Sequence, residues 1–111
     1  MMAYNVEDYI EEAIVELQKE SLVNWELIVV EDFSSDNTFN VVTDIAREDD
    51  RITLVKNVSK GVVVGINYSY NLTKGEIIKC IDSDDILTQG FFDQYKNMLK
   101  YDVYCHNMRL I

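Results

Sequence analysis

Trp25-Glu-Leu-Ile-Val-Val30, running into Glu31-Asp32-Phe33-Ser34-Ser35-Asp36-Asn37, is the stretch on which the fold turns. A short apolar run rich in β-branched residues that ends in a dense group of turn and cap formers reads as a buried strand delivering a polar loop. Beyond it, Thr38 to Glu48 takes up a helical period through Val41, Val42 and Ile45, and Ile52-Thr-Leu-Val55 reads as a second strand. The unit is strand, loop, helix, strand. Ahead of it, from Val6 to Lys19, Ile10, Ile14 and Leu17 recur at helical spacing with Tyr9 and Ala13 beside them, while Glu7, Glu11, Glu12 and Glu16 fill the other face. This predicts an amphipathic helix with Asn5 placed to cap it and Glu7 and Asp8 suited to the positive end of its dipole.

Further along, a loop around Asn57 to Gly61 leads into a helix over Val62 to Leu72, although Gly65 and the valine run lower its intrinsic propensity. Glu76-Ile-Ile-Lys-Cys-Ile81 then reads as a third buried strand, with Asp82-Ser83-Asp84-Asp85 at its carboxyl end. Phe91 to Leu99 is expected to be helical, and Asp102 to Leu110 to close as a strand. No repeat, linker or low-complexity tract interrupts the pattern. Strands alternating with helices imply an α/β domain with a mainly parallel sheet, whose ligands sit beyond the carboxyl ends of the strands. Both acidic clusters fall there.

With 111 residues the chain is one domain at most, and 48% hydrophobic residues are enough to fill a core if well patterned. No apolar run approaches the length of a membrane span, and no basic-then-apolar leader is present, so a soluble, intracellular chain is expected. The net charge of −10 repels phosphate polyanions and anionic lipid, which argues against nucleic acid as a partner but leaves a metal-bridged nucleotide open. Cys80 and Cys105 lack a zinc spacing, and with His106 the lone histidine they read as reduced structural thiols. Asn57-Val-Ser59 and Asn71-Leu-Thr73 match the glycosylation sequon, a short pattern that arises often by chance and is discounted here.

Asp82, Asp84 and Asp85 repel one another unless solvent or a cation relieves them, and hard oxygen ligands suit Mg²⁺ or Mn²⁺. The plainer reading is that an Asp/Ser cluster after a strand caps the next helix. The order of elements decides between them. Ala3-Tyr4-Asn5-Val6, then Val29-Val30-Glu31-Asp32-Phe33-Ser34-Ser35-Asp36-Asn37-Thr38, then Asp82-Ser83-Asp84-Asp85, with Gly61-Val62, Asn67-Tyr68 and Lys74-Gly75-Glu76 between, together resemble family 2 glycosyltransferases of the GT-A fold. The resemblance covers nearly all of residues 1–111 and implies a single, partial, Rossmann-like donor-binding domain for a nucleoside diphosphate sugar. It implies that Tyr4 stacks on the base and that Asp32 accepts from a ring N–H, favouring uracil or another base with that donor. Their plainer readings are a partly buried loop aromatic and a helix cap. By the same matching, Asp82 and Asp84 contact ribose and metal, with Asp85 the other candidate ligand. The general base of such enzymes lies on the acceptor half, so no catalytic residue is assigned within this chain. The resemblance further implies a cytoplasmic protein, membrane-peripheral in a longer parent.

Several positions depart from the family pattern. Its first strand is reduced here to Met1-Met2, which would leave edges unpaired beside Leu27 to Val30 and Ile77 to Ile81 and invite self-association. Glu31 and Phe33 stand where Asp and Gly are more usual, and Ile66 where an arginine commonly precedes the Asn matched by Asn67. These departures lead to the expectation that residues 1–111 alone bind nucleotide weakly and transfer no sugar. They also keep open a non-catalytic or self-associating module of the same fold. A receiver-type phospho-acceptor domain fits less well, because Lys79 lies ahead of Asp82 rather than in a loop beyond it.

Overall fold

The computed structural model describes residues 1–21 and 24–95. In chain order the elements are β1 (Met2–Ala3), α1 (Ile10–Gln18), β2 (Leu27–Glu31), α2 (Thr38–Glu48), β3 (Ile52–Lys56), α3 (Val62–Tyr70) and a 3₁₀ helix (Phe91–Tyr95). The three strands form one parallel sheet in the order β1-β2-β3. The chain is therefore an α/β, Rossmann-like half, as its alternating pattern predicts.

β2 is central, and all five of its residues are buried, which is why it reads as an unbroken apolar run rather than an alternating one. Alternation along the strand directs Leu27 and Val29 into the main core with Ala3, Ile10, Ile14, Leu17, Val42 and Ile52. α3 packs against β1 and β2. Gly65, which weakens α3 as an isolated helix, sits against the sheet here. A Cβ on it would displace the end of the Met2 side chain and lie 3.0 Å from Asn57 Nδ2, so the glycine lets these two side chains fill the space between helix and sheet. β2 and β3 pair from Leu27↔Ile52 to Glu31↔Lys56, placing their carboxyl ends side by side.

The structure corrects two expectations. Residues 76–81 do not form a strand; they stand off the sheet, with 76–80 exposed. A parallel strand must hydrogen-bond to an extended neighbour, and β1, only two residues long, pairs with the end of β2 alone at Met2↔Val30 and Ala3↔Glu31. The segment is tied to the sheet at its start, where Glu26 Oε1 accepts from Lys74 N and from Gly75 N at 3.2 Å. Between it and the amino-terminal half of β2 lies a cleft of about 800 Å³, lined by Leu17, Trp25, Leu27, Ile28, Ile77 and Phe92 among others. The second correction concerns Asn5, which does not cap α1. The helix begins at Ile10 after a turn in which Tyr9 N and Ile10 N both donate to Val6 O at 3.0 Å, and Asn5 is engaged elsewhere, as described below.

Toward the chain end, the expected helix over Phe91 to Leu99 appears as the 3₁₀ helix Phe91–Tyr95, with the remainder outside the described residues. The expected strand Asp102 to Leu110, Cys105 and His106 also lie outside them. Cys80 is a free, exposed thiol. Buried Glu20, at the end of α1, accepts from Gly90 N at 2.9 Å and from Phe91 N and Phe92 N at 3.3 Å, anchoring the turn before the 3₁₀ helix to the core.

At the other end of α2, Asp49 binds Arg51 through Arg51 Nε at 2.9 Å and Nη2 at 2.7 Å, and accepts from Gln18 Nε2 at 2.9 Å. The guanidinium also lies over the Trp25 ring, 3.9 Å from its centroid. The hydrogen bonds from Arg51, outweighing desolvation, hold the Asp49 carboxyl well below the usual carboxylate range. A carboxyl with a depressed value in the folded state binds fewer protons than in the unfolded chain. Its stabilisation is thus complete above the unfolded value, near about 3.9, and is lost as pH falls toward the folded one. The thermal midpoint is expected to fall between about pH 4 and pH 2, and to fall less in Asp49→Asn; equal acid sensitivity of the two proteins would contradict this assignment.

Candidate functional site

The loop after β2 and the loop after β1 are laced together. Asn5 N donates to Ser34 Oγ at 3.1 Å, and Asn5 Oδ1 accepts from Ser35 N at 2.8 Å. Glu7 N donates to Asp36 Oδ2 at 3.1 Å, and Asn37 N donates to Glu7 Oε2 at 2.9 Å. Fully buried Thr38 donates its hydroxyl to Asp36 Oδ1 at 2.6 Å and accepts from Val6 N at 2.9 Å. Asp36 Oδ1 also takes Thr38 N at 3.0 Å, so Asp36, one residue ahead of the N-cap Asn37, holds the first amide of α2. Desolvation opposes ionisation of Asp36, but the bonds from Thr38 and Glu7 outweigh it and hold the carboxyl below its ordinary value. Asn5 adopts φ 50, a left-handed conformation that asparagine tolerates, and this turns its side chain toward the serines instead of along α1.

This lacing sets Tyr4 and Asp32 around a third loop, Asn57 to Gly61. Tyr4 is half exposed (47%). Lys60 Nζ lies 4.4 Å from its ring centroid and donates to its hydroxyl at 3.3 Å. Asp32 is 5% exposed, and its carboxylate is held from the same loop. Oδ1 accepts from Asn57 Nδ2 at 2.8 Å and from Gly61 N at 3.0 Å, while Oδ2 receives the longer arm of the Gly61 bond at 3.2 Å. Asn57 Nδ2 donates also to Gly61 O at 3.0 Å. Gly61 has φ 135, which an L side chain rarely adopts, so the loop needs glycine at this point. Asn57 Oδ1 is buried without a partner among the described residues. An orphaned buried acceptor of this kind costs about 1–3 kcal/mol.

Asp32 is therefore not a helix cap, and Tyr4 is an available aromatic face beside it. Sequence reasoning missed Asn57 and Lys60. Asn57 reads in the sequence only as a loop residue and part of a sequon, and its carboxamide nitrogen is in fact committed to Asp32 and Gly61. Lys60 is an ordinary loop cation until the fold sets it against a residue 56 positions away.

Next to this loop, Glu31, Phe33, Ser34 and Lys56 line a pocket of about 340 Å³ at the carboxyl ends of β2 and β3. Buried Glu31 closes the turn by accepting from Ser34 N, a reach that its extra methylene allows. Lys56 Nζ lies 4.6 Å over the Phe39 ring. Phe33 sits at φ 61, the left-handed region that glycine occupies without strain, and 54% of it is exposed. Phe33→Gly is accordingly expected to raise the unfolding free energy by about 1 kcal/mol, read by chemical denaturation. A loss of stability of similar size would mean that the ring's packing outweighs the backbone strain.

Asp82, Asp84 and Asp85 lie on an exposed turn in which Asp85 N donates to Asp82 O at 3.3 Å, with Ser83 buried between them. Burial holds the nearby Met1 ammonium below its ordinary value, with the charges of Cys80 and then Asp82 opposing that shift. No hydrogen bond joins this turn to the Tyr4–Asp32 loop among the described residues. Nor do three His, Cys, Asp or Glu side chains among them converge as a ready cage for a metal. The donor set nevertheless fits Mg²⁺ or Mn²⁺ held by one or two carboxylates, with substrate phosphate and water completing the shell. Lys79, on the exposed segment ahead of this turn, is not placed as a receiver-type lysine would be. Among the described residues no helix is long and apolar enough to cross a membrane.

Comparison with known proteins bears on the family. The sequence profile of Glycosyl transferase family 2 matches residues 1–109. The chain is 36% identical over 105 residues to the UDP-Glc:alpha-D-GlcNAc-diphosphoundecaprenol beta-1,3-glucosyltransferase WfgD of Escherichia coli, a match covering 93% of this chain and 41% of that protein. It is 30% identical over 91 residues to the glycosyltransferase GlyG of Streptococcus pneumoniae, covering 81% of this chain and 30% of the relative. The chain thus spans less than half the length of these relatives.

Proposed function

The chain belongs to glycosyl transferase family 2, and from that membership we propose that it is the donor-binding part of a sugar-transferring enzyme, taking a nucleoside diphosphate sugar for transfer to an acceptor hydroxyl. The observation that carries this reading is the convergence of a half-exposed aromatic ring, Tyr4, and a buried, oriented carboxylate, Asp32, on the Asn57 to Gly61 loop at the carboxyl end of β3. Stacking on the tyrosine holds a base of any kind. The carboxylate selects one with a ring N–H, and a uridine nucleotide fits. The printed name of the Escherichia coli relative specifies UDP-Glc, which supports the same choice.

Asp82 would reach the ribose, and Asp84 or Asp85 would hold Mg²⁺ or Mn²⁺. When bound there, the cation would supply neutralisation of charge on the departing diphosphate. With Ile66 in place of a cationic side chain on α3, Lys56 and Lys60 are the cations that the described residues set beside the two loops. Nucleotide binding is therefore expected to be weak and to depend on the divalent ion.

Calorimetric titration with UDP and GDP, each with and without Mn²⁺, tests the reading. Heat that requires Mn²⁺ and disappears in Asp84→Ala or Asp85→Ala supports it and identifies the ligand. Silence in every titration would overturn it in favour of a non-catalytic module of the same fold. Residues 1–111 tested alone are expected to transfer no sugar, so detectable transfer would contradict the assignment of the base outside them. The stand-off of residues 76–81 from β2 favours self-association through the strand edges as a second reading, and sedimentation over a concentration series reads it directly.

A further inference from the structure

We infer that Asn57 is a positioning residue that sets the base selectivity of the donor site, acting through Asp32; this rests on the donor-binding reading above. Three observations support it. First, Asn57 is 4% exposed, and its two amide hydrogens are divided between Asp32 Oδ1 and Gly61 O. The opposite orientation of the amide would set its oxygen against both acceptors, so the observed one is imposed by the network. Second, that orientation leaves Asn57 Oδ1 buried and without a partner among the described residues. An orphaned buried acceptor calls for an explanation, and the two bonds that the amide nitrogen makes supply one.

Third, the bonds fall unevenly on the carboxylate. Among the described residues Oδ1 has two donors, from Asn57 and Gly61, whereas Oδ2 has only the 3.2 Å arm from Gly61 N. Rotation of the carboxylate is blocked, and Oδ2 is the oxygen with spare acceptor capacity. A ring N–H fills that capacity. Uracil and guanine carry such a hydrogen on the Watson–Crick edge, and cytosine and adenine present a bare nitrogen there, which would face the carboxylate lone pair. Without Asn57 the carboxylate can turn, and its discrimination between these bases should fade even where stacking on Tyr4 persists.

The test compares UDP with CDP, in the presence of Mn²⁺, for the wild-type chain, Asn57→Leu and Asn57→Ser. The wild type is expected to prefer UDP by about 30-fold or more, and the variants by about 3-fold or less. A purely structural role would weaken both nucleotides by one factor and leave their ratio unchanged, and that result would overturn the inference. Asn57→Ser gives the same readout should the bulkier leucine prevent folding. If the wild type binds neither nucleotide, the donor-site reading fails and this inference with it. If the wild type discriminates and the variants do so equally, only the inference about Asn57 fails.

Discussion

Asp32→Ala is expected to abolish nucleotide binding and to lower the unfolding free energy by about 2–4 kcal/mol. Both effects come from one carboxylate. It is buried, and its loss removes the acceptor for Gly61 N and one of the two acceptors for Asn57 Nδ2. Buried donors left without partners forfeit their hydration as well as the bond. Because a domain of this size is stable by roughly 5–15 kcal/mol, the variant should still fold, so the loss of binding can be measured on a native protein. Asp32→Asn separates the two effects. Its amide oxygen can still accept from Gly61 N, which should return much of the stability, but its amide hydrogens would oppose the ring N–H of uracil. Denaturant unfolding alongside UDP titration reads both, and unimpaired UDP binding by Asp32→Ala would remove Asp32 from the donor site.

Ile14→Ala is expected to cost about 2–5 kcal/mol, whereas Val15→Ala next to it should cost less than about 1 kcal/mol. Ile14 is fully buried in the cluster formed with Ile10, Leu17, Leu27, Val29 and Val42, and truncating it removes apolar contact and leaves a cavity. Val15 lies one residue further round α1 and is 37% exposed. The contrast tests whether α1 faces the sheet by the stripe that the sequence periodicity predicts. Similar losses at both positions would mean that the helix is rotated from that face. Since the Glu20 clasp lies two residues past the end of α1, Ile14→Ala should loosen the turn ahead of the 3₁₀ helix as well, detectable as faster amide exchange at Gly90.

What the sequence by itself determined is whatever depends on residues close together along the chain. β2, α2, β3 and α3 stand where apolar periodicity and turn chemistry place them, because a helix satisfies its own backbone and the apolar run Leu27 to Val30 has no stable state other than burial. Asp36 belongs to the turn and cap formers for the same reason: it bonds the amide two residues on. The position of Asp32 just past an apolar strand was legible too. What only the tertiary structure decided is what needs a partner from elsewhere. Glu76 to Ile81 has the composition of a strand, but a strand is completed by its neighbour, and the two residues of β1 do not reach it. Asn5 looks like a helix cap until Ser34 and Ser35, about thirty positions away, offer its side chain and amide nearer partners. Asn57 meets Asp32 across 25 positions, and Lys60 meets Tyr4 across 56. Local pattern decides which elements form, since their hydrogen bonds close within a few residues. The selectivity of the site rests on bonds that close only when the sheet has brought three distant loops together.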